Sequence, residues 1–348
     1  MPDNAASSSV PVSIISRPLH SRHGVHAPRL VQSARTPGSI RRTSTIDSTR
    51  PVGIHGDVVQ FGRARDLLTA ADGTTRVVGE VALESRIAHS RNYELLELTA
   101  TPQHQSLSLL IGRSVSTGFR AAVVEAMPDE NDRATLLHLL LDDLTGAALV
   151  SGYAVGAAGA LDGHKREGPR LQIEGLCAGF QKGSTIMIEV DAGRHAPTVT
   201  GPIAPPLVDD DEIGWHELRP LGAHDMRRWR RLDVRPPAEP GGLYDVEAYF
   251  RDSHMNPEGV ETVIHEYTVN VLVDGTTQSI IGSSAAAHSL PWVECIEAEA
   301  SGNRLAGRAL RGLRPGVREE FTGITTCTHL NDTMRSIEDV RALLPLLA

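Results

Sequence analysis

The side chains best suited to chemistry gather in the last third of the chain: His265-Glu266, His288, Glu294-Cys295 and Cys327-Thr328-His329. Thiolate with imidazole is a ligand set for zinc or a first-row transition metal, and a site with three protein ligands leaves a position for water or substrate. On that reading His265, Cys295, Cys327 and His329 hold a divalent zinc or iron ion. Glu266, Glu294 or His329 then does acid–base work, and Trp292 lines an apolar pocket beside Cys327, roofed by the turn Gly179-Phe180-Gln181-Lys182-Gly183. The spacing is not diagnostic, because there is neither a paired CxxC nor an HExxH. Cysteine and histidine are also common core residues, so a non-catalytic structural protein stays open as a reading. Cys327 and His329 as thiolate and base meet an objection, since side chains two apart on a helix do not face each other. His138, set among Leu136, Leu137, Leu139 and Leu140, reads as structural.

The elements that must position these residues come in two similar runs. Arg41-Arg42-Thr43-Ser44-Thr45-Ile46-Asp47 before Arg50-Pro51 matches Arg227-Arg228-Trp229-Arg230-Arg231-Leu232-Asp233 before Arg235-Pro236. Each run continues through Gly112-Arg113 or Gly307-Arg308, then Arg120, Val123 and Glu125 or Arg314, Val317 and Glu319, and ends on a Thr-x-x-His-Leu at Thr135 or Thr326. The pattern predicts two related α+β modules, each an antiparallel sheet with helices, packed as a pseudo-symmetric pair. Strands are expected over 77–83, 93–99 and 106–111, then over 244–251, 267–273 and 278–284, with helices over 119–126 and 136–144. The boundaries read as a disordered tail over 1–40, a first module over 41–144, intervening strands and linker over 145–226, including two strands within 170–190, and a second module over 227–348. Asp209-Asp210-Asp211-Glu212 reads as a solvated acidic face and the basic run Met226 to Arg231 as a salt-bridge or phosphate element. Only the second run carries cysteines beside its histidine, so chemistry belongs there or between the runs.

Composition bounds the partners. A formal net charge of -9 argues against nucleic acid or an anionic membrane, and 4% aromatics gives few platforms for stacking bases. Three scattered cysteines suit a reducing, cytoplasmic compartment, and no apolar run in the sequence approaches the roughly 20 residues a membrane helix needs.

The run from Leu243 to Ile337 resembles the bacterial domain-of-unknown-function family 2889 (DUF2889). The likeness rests on Tyr244-Asp245-Val246-Glu247-Ala248, the His265-Glu266 pair, Pro291 to Cys295 and Cys327-Thr328-His329-Leu330. That resemblance implies accessory or catabolic enzymes for hydrophobic small molecules and no established reaction. A fainter similarity to the iron–sulfur scaffold fold rests on the order His265-Glu266, Cys295, Cys327, with His-Glu where that family has Cys. The leading expectation is therefore a metal-dependent enzyme acting on a hydrophobic small molecule; a metal or iron–sulfur carrier and a structural protein are the alternatives.

Overall fold

Residues rich in β-branched side chains with alternating polarity pair here as long antiparallel strands. They are β1 (Ser39–Thr49), β2 (Val58–Thr69), β3 (Thr75–Ala88), β4 (Glu94–Thr101), β5 (Met226–Arg235), β6 (Tyr244–Met255), β7 (Glu261–Asp274) and β8 (Ser279–Ser289). The computed structural model describes residues 19–161, 172–208 and 211–347. Its strands form one eight-stranded sheet in the order β4-β3-β2-β1-β5-β6-β7-β8. The helices are α1 (Phe119–Ala126), α2 (Pro128–Asp132), α3 (Leu136–Val150), α4 (Tyr153–Ala157), α5 (Thr185–Asp191), α6 (Leu313–Glu320), α7 (Thr328–Ser336) and α8 (Val340–Leu343).

The two Arg-Arg frames are themselves strands, β1 and β5, and they pair with each other at the centre. Arg41 stands opposite Asp233, and Asp47 opposite Arg227. Arg41 Nε donates to Asp233 Oδ1 at 2.6 Å, and Arg227 Nε to Asp47 Oδ1 at 2.5 Å. Because side chains alternate along a strand, Arg42 and Arg228 point to the other face. There Arg42 Nε reaches Asp66 of β2 at 2.8 Å and Arg228 Nε reaches Asp252 of β6 at 2.9 Å. All eight side chains are buried.

Two apolar clusters cover the helix-bearing face. Ile46, Val58, Leu83, Ile87 and Leu95 meet Phe119, Val123, Leu140 and Leu144 of α1 and α3. Leu232, Val246, Phe250, Tyr267 and Val269 meet Leu313, Val317, Leu330 and Met334 of α6 and α7. The central strands are closed on their other face by Leu207 and Trp215, which pack on Trp229 and Tyr249.

Several expectations change. The halves share one continuous sheet, because β1 and β5 supply each other's missing edge, instead of each holding its own. The 3-10 turn Gln105–Leu110 replaces the strand expected over 106–111, burying Leu107 and Leu110 on the core. The two strands expected within 170–190 give way, in the described part, to the 3-10 turn Ala178–Phe180 and α5, which Ser184 caps through the Met187 amide. From residue 19 onward the expected tail is docked: Leu290 N donates to Val25 O and Ala27 N to His288 O, both at 2.8 Å, so the segment borders β8. Residues 1–18 of that tail, and Asp209 and Asp210 of the acidic run, lie outside the described residues. Asp211 is not a solvated acid; it accepts from Arg35 Nε at 2.6 Å and Nη2 at 2.8 Å. The helical run Leu136–Ala157 is long and apolar enough to cross a membrane, contrary to the reading of the sequence, yet 72% of its apolar window is buried inside the fold.

The pairs at the centre predict a specific energetic pattern. Asp47→Ala leaves the Arg227 guanidinium buried without its carboxylate and should cost about 3–5 kcal/mol in urea unfolding, whereas Asp47→Ala with Arg227→Met should recover most of that loss. Acid should also weaken the fold. Burial first, then nearby positive charge, pushes His138 down to about 4 and His216 down to about 3. These rings fold neutral while the unfolded chain protonates near pH 6.5, so stability holds above that pH and falls toward pH 4 by up to about 1.4 kcal/mol per unit for each histidine. Urea unfolding at pH 7 and pH 5 should show a smaller acid loss in His138→Gln than in the wild type.

Candidate active site

A cavity of about 740 Å³ opens between the halves. Leu149, Val150 and Tyr153 of α3 and α4 form one wall, Leu176 to Phe180 with Ile186 a second, and Trp292, Cys295, Cys327 and His329 a third. Trp292, Cys327 and the Gly179-Phe180 end of the expected turn thus border one space, as the sequence suggested.

The inner wall holds a cluster that hairpin register assembles. Asp252 on β6 faces His265 on β7 directly, and α7 lays His329 over both strands. Donor atoms of Asp252, His265 and His329 lie within 4.8 Å of one another. His265 Nδ1 is 3.6 Å and His329 Nε2 3.8 Å from Asp252 Oδ2, and the imidazoles stack with centroids 3.6 Å apart. Arg228 grips the carboxylate with Nε at 2.9 Å and Nη2 at 3.0 Å. Burial alone would raise the Asp252 carboxyl, but the Arg228 charge, with His265 and His329, holds it well below the usual carboxylate range. Burial, reinforced by His265, pushes His329 well down, so its ring is neutral and able to ligate. His265 Nδ1 is buried with no hydrogen-bond partner, and the His329 side chain keeps 24% exposure, toward the cavity. Two imidazoles, one with an orphaned nitrogen, and a carboxylate suit zinc or ferrous iron.

Of the four expected ligands, His265 and His329 stand in this group. Cys295 and Cys327 border the cavity but do not join the three-donor group. Cys327 is the N-cap of α7, with extended backbone at φ −131°, so its sulfur turns back to lie 3.8 Å from His329 Nδ1, the ring edge away from Asp252. That answers the objection about residues two apart, because only His329 is on the helix. Cys295 packs at Gly179, where an added β-carbon would sit 3.2 Å from its sulfur and 3.9 Å from that of Cys177. Burial raises all three thiols: Cys177 to about 12, Cys295 well above its ordinary value, and Cys327 despite the Tyr267 hydroxyl and the Leu330 and His329 amides. None is an activated nucleophile.

Neither glutamate reaches the cavity. Glu266 follows His265 on β7 and so points to the opposite face, where Tyr249, Arg251 Nη2 (2.8 Å) and the Arg29 amide (3.0 Å) hold it. Glu294 accepts from Arg22, from the Thr185 amide at 2.9 Å and from the Thr185 hydroxyl at 3.0 Å. His288 bonds Thr268 Oγ1 at 2.9 Å, away from the cluster. Sequence reasoning missed Asp252 and Arg228. The signal for Asp252 was present in its position opposite His265 across the turn Asn256-Pro257-Glu258-Gly259.

A coupling across the halves completes the geometry. Gly146 of α3 lies so close to the cluster that a β-carbon there would stand 1.8 Å from Arg228 Nη1 and 2.9 Å from Asp332 Oδ2.

Residues 226–342 match the family model DUF2889, a protein of unknown function. No curated protein and no solved structure matches the chain, so the likeness to an iron–sulfur scaffold gains no support.

Trp292 is only 3% exposed and takes His20 edge-on at 5.3 Å between ring centroids. Trp292→Ala should therefore cost about 3–5 kcal/mol in thermal or urea unfolding. Trp292→Phe should keep the fold and raise KM for an apolar substrate; a loss below about 1 kcal/mol in the alanine variant would show the ring is not core.

Proposed function

We propose that the protein is a metal-dependent enzyme acting on a hydrophobic small molecule. The observation that carries this reading is the convergence of Asp252, His265 and His329 on the wall of a large, mostly apolar cavity. Asp252 Oδ2, His265 Nδ1 and His329 Nε2 would hold zinc or ferrous iron, which supplies Lewis-acid activation of a bound water or substrate oxygen. Arg228 keeps Asp252 ionised and fixes its plane, as an outer-shell partner does for a ligating carboxylate. Leu149, Val150, Leu176, Ile186 and Trp292 present the apolar surface that takes up substrate and excludes water. A metal carrier would share the ligands but has no use for such a cavity, which favours the enzyme reading.

The same proposal includes a duplicated module as the framework. Strand order runs outward from β1 and β5 alike, and Arg41, Arg42, Asp47 and Asp66 have counterparts in Arg227, Arg228, Asp233 and Asp252 making equivalent ion pairs. In the second half that scheme gains His265, His329 stands where the first half has His138, and Asp252 becomes a potential ligand as well as an ion-pair partner.

Elemental analysis of untagged protein should find zinc or iron near one ion per chain. His265→Ala and His329→Ala should each lower the content at least about tenfold, and Cys327→Ser should leave it unchanged. Wild-type protein that takes up neither zinc nor ferrous iron would overturn the metal reading; bound metal without turnover of any apolar substrate class would favour the carrier.

A further inference from the structure

A second cavity, of about 430 Å³, lies at the turn after β1, at the end of the sheet that also carries the β6–β7 hairpin, where the His224 amide donates to Met255 O at 2.8 Å. Thr49, Arg50, Gly53, Arg219, His224 and Asp225 are among its lining residues. The cationic groups here differ from those of the central strands. The arginines along β1 and β5 have carboxylate partners, and Arg235, which closes β5, has Asp245 at 3.1 Å and Asp233 at 3.7 Å. Arg50, which follows β1, has neither. Its Nη1 donates to Gly56 O at 2.9 Å and its Nη2 reaches Ser151 Oγ at 3.5 Å, while Nε is buried and unpartnered. Arg219 is also without a carboxylate oxygen within 4.0 Å among the described residues; its guanidinium lies flat over the Phe61 ring, 3.5 Å from the centroid. His224 holds a positive φ of 64°, and its Nδ1 is buried with no partner.

We infer that this cavity is a binding site for an oxyanion, the carboxylate or phosphate of a small molecule. Two guanidiniums without carboxylates and a histidine nitrogen without a partner border one small space, and planar guanidinium forks match both ligand groups. Stacking on Phe61 holds the Arg219 fork in place before the ligand arrives, which lowers the ordering cost of binding. Asp225 is the opposing charge on this wall. Its carboxyl accepts the Gly222 amide at 2.8 Å, and burial, with Asp47 nearby, raises its pKa against the pull of that amide and of the Arg219 and Arg227 charges. Anion binding should therefore strengthen as Asp225 is neutralised by acid. The site shares no residue with the metal cluster and stands or falls apart from it.

Calorimetric titration of the full chain at low ionic strength with inorganic phosphate, and separately with succinate, tests the inference. Saturable binding of at least one anion is expected, and the tighter of the two identifies the ligand group. Arg219→Gln, at an exposed residue whose loss leaves the core intact, should weaken it about tenfold, equivalent to about 1.4 kcal/mol. Asp225→Asn, which can still accept the Gly222 amide, should tighten it. Arg50→Gln should weaken it as well, read only if its melting temperature matches the wild type. Absence of binding by both anions at millimolar concentration, or unchanged affinity in a folded Arg219→Gln variant, would overturn the assignment.

Discussion

Buried charge at the middle of the sheet is the constraint on which the rest of this molecule depends. β1 and β5 bring arginines and aspartates into a region closed on both faces, and each guanidinium there is matched in register by a carboxylate from an adjacent strand or a helix. Such pairs add little net stability over apolar replacements, but a slip of one residue between β1 and β5 would unmatch the two that cross it, Arg41 with Asp233 and Arg227 with Asp47. Their contribution is alignment: they admit one register between the halves. The candidate site inherits that alignment directly, because Arg228 both belongs to the central set and holds Asp252 in place.

Much of the architecture was legible. Alternation located β3, β4, β6, β7 and β8, and the helix over 119–126 emerged with those bounds. The Arg-rich frames were read as equivalent but not as strands, because adjacent arginine pairs break the apolar–polar alternation that marks a strand and imitate a solvent-facing segment. Only the tertiary partner, a second strand bearing complementary charge, shows that they are buried. The segment over 170–190 misled for the opposite reason: short apolar runs fit strand and helix alike, and the Ser184 cap and the packing of Met187 and Val190 decide for helix.

The site was half legible in the same sense. His265, His329, Cys295, Cys327 and Trp292 do share one cavity, and their types announced it. Which of them could meet at one point depended on whether each side chain faces the cavity, and that follows from strand parity for Glu266 and from the N-cap conformation for Cys327. Asp252 went unnoticed because an aspartate between Arg251 and Ser253 has no distinctive neighbours in sequence; its distinction comes from the strand opposite.

The packing of Gly146 against Arg228 has an evolutionary reading. The potential ligands all come from the stretch 226–342, whereas much of the wall that shapes the cavity comes from α3, α4 and the segment around Leu176 to Phe180. On the proposed function, ligands and recognition wall would thus be encoded in largely separate parts of one chain and could diversify at different rates. The freedom is bounded where helix and guanidinium touch, since a side chain at position 146 would displace the arginine that pairs with Asp252, and where Arg230 and Arg335 pair with Asp143 and Asp142 of α3. Paralogues that exchange the upstream wall for another recognition surface would keep glycine at that position or set the helix farther from the guanidinium.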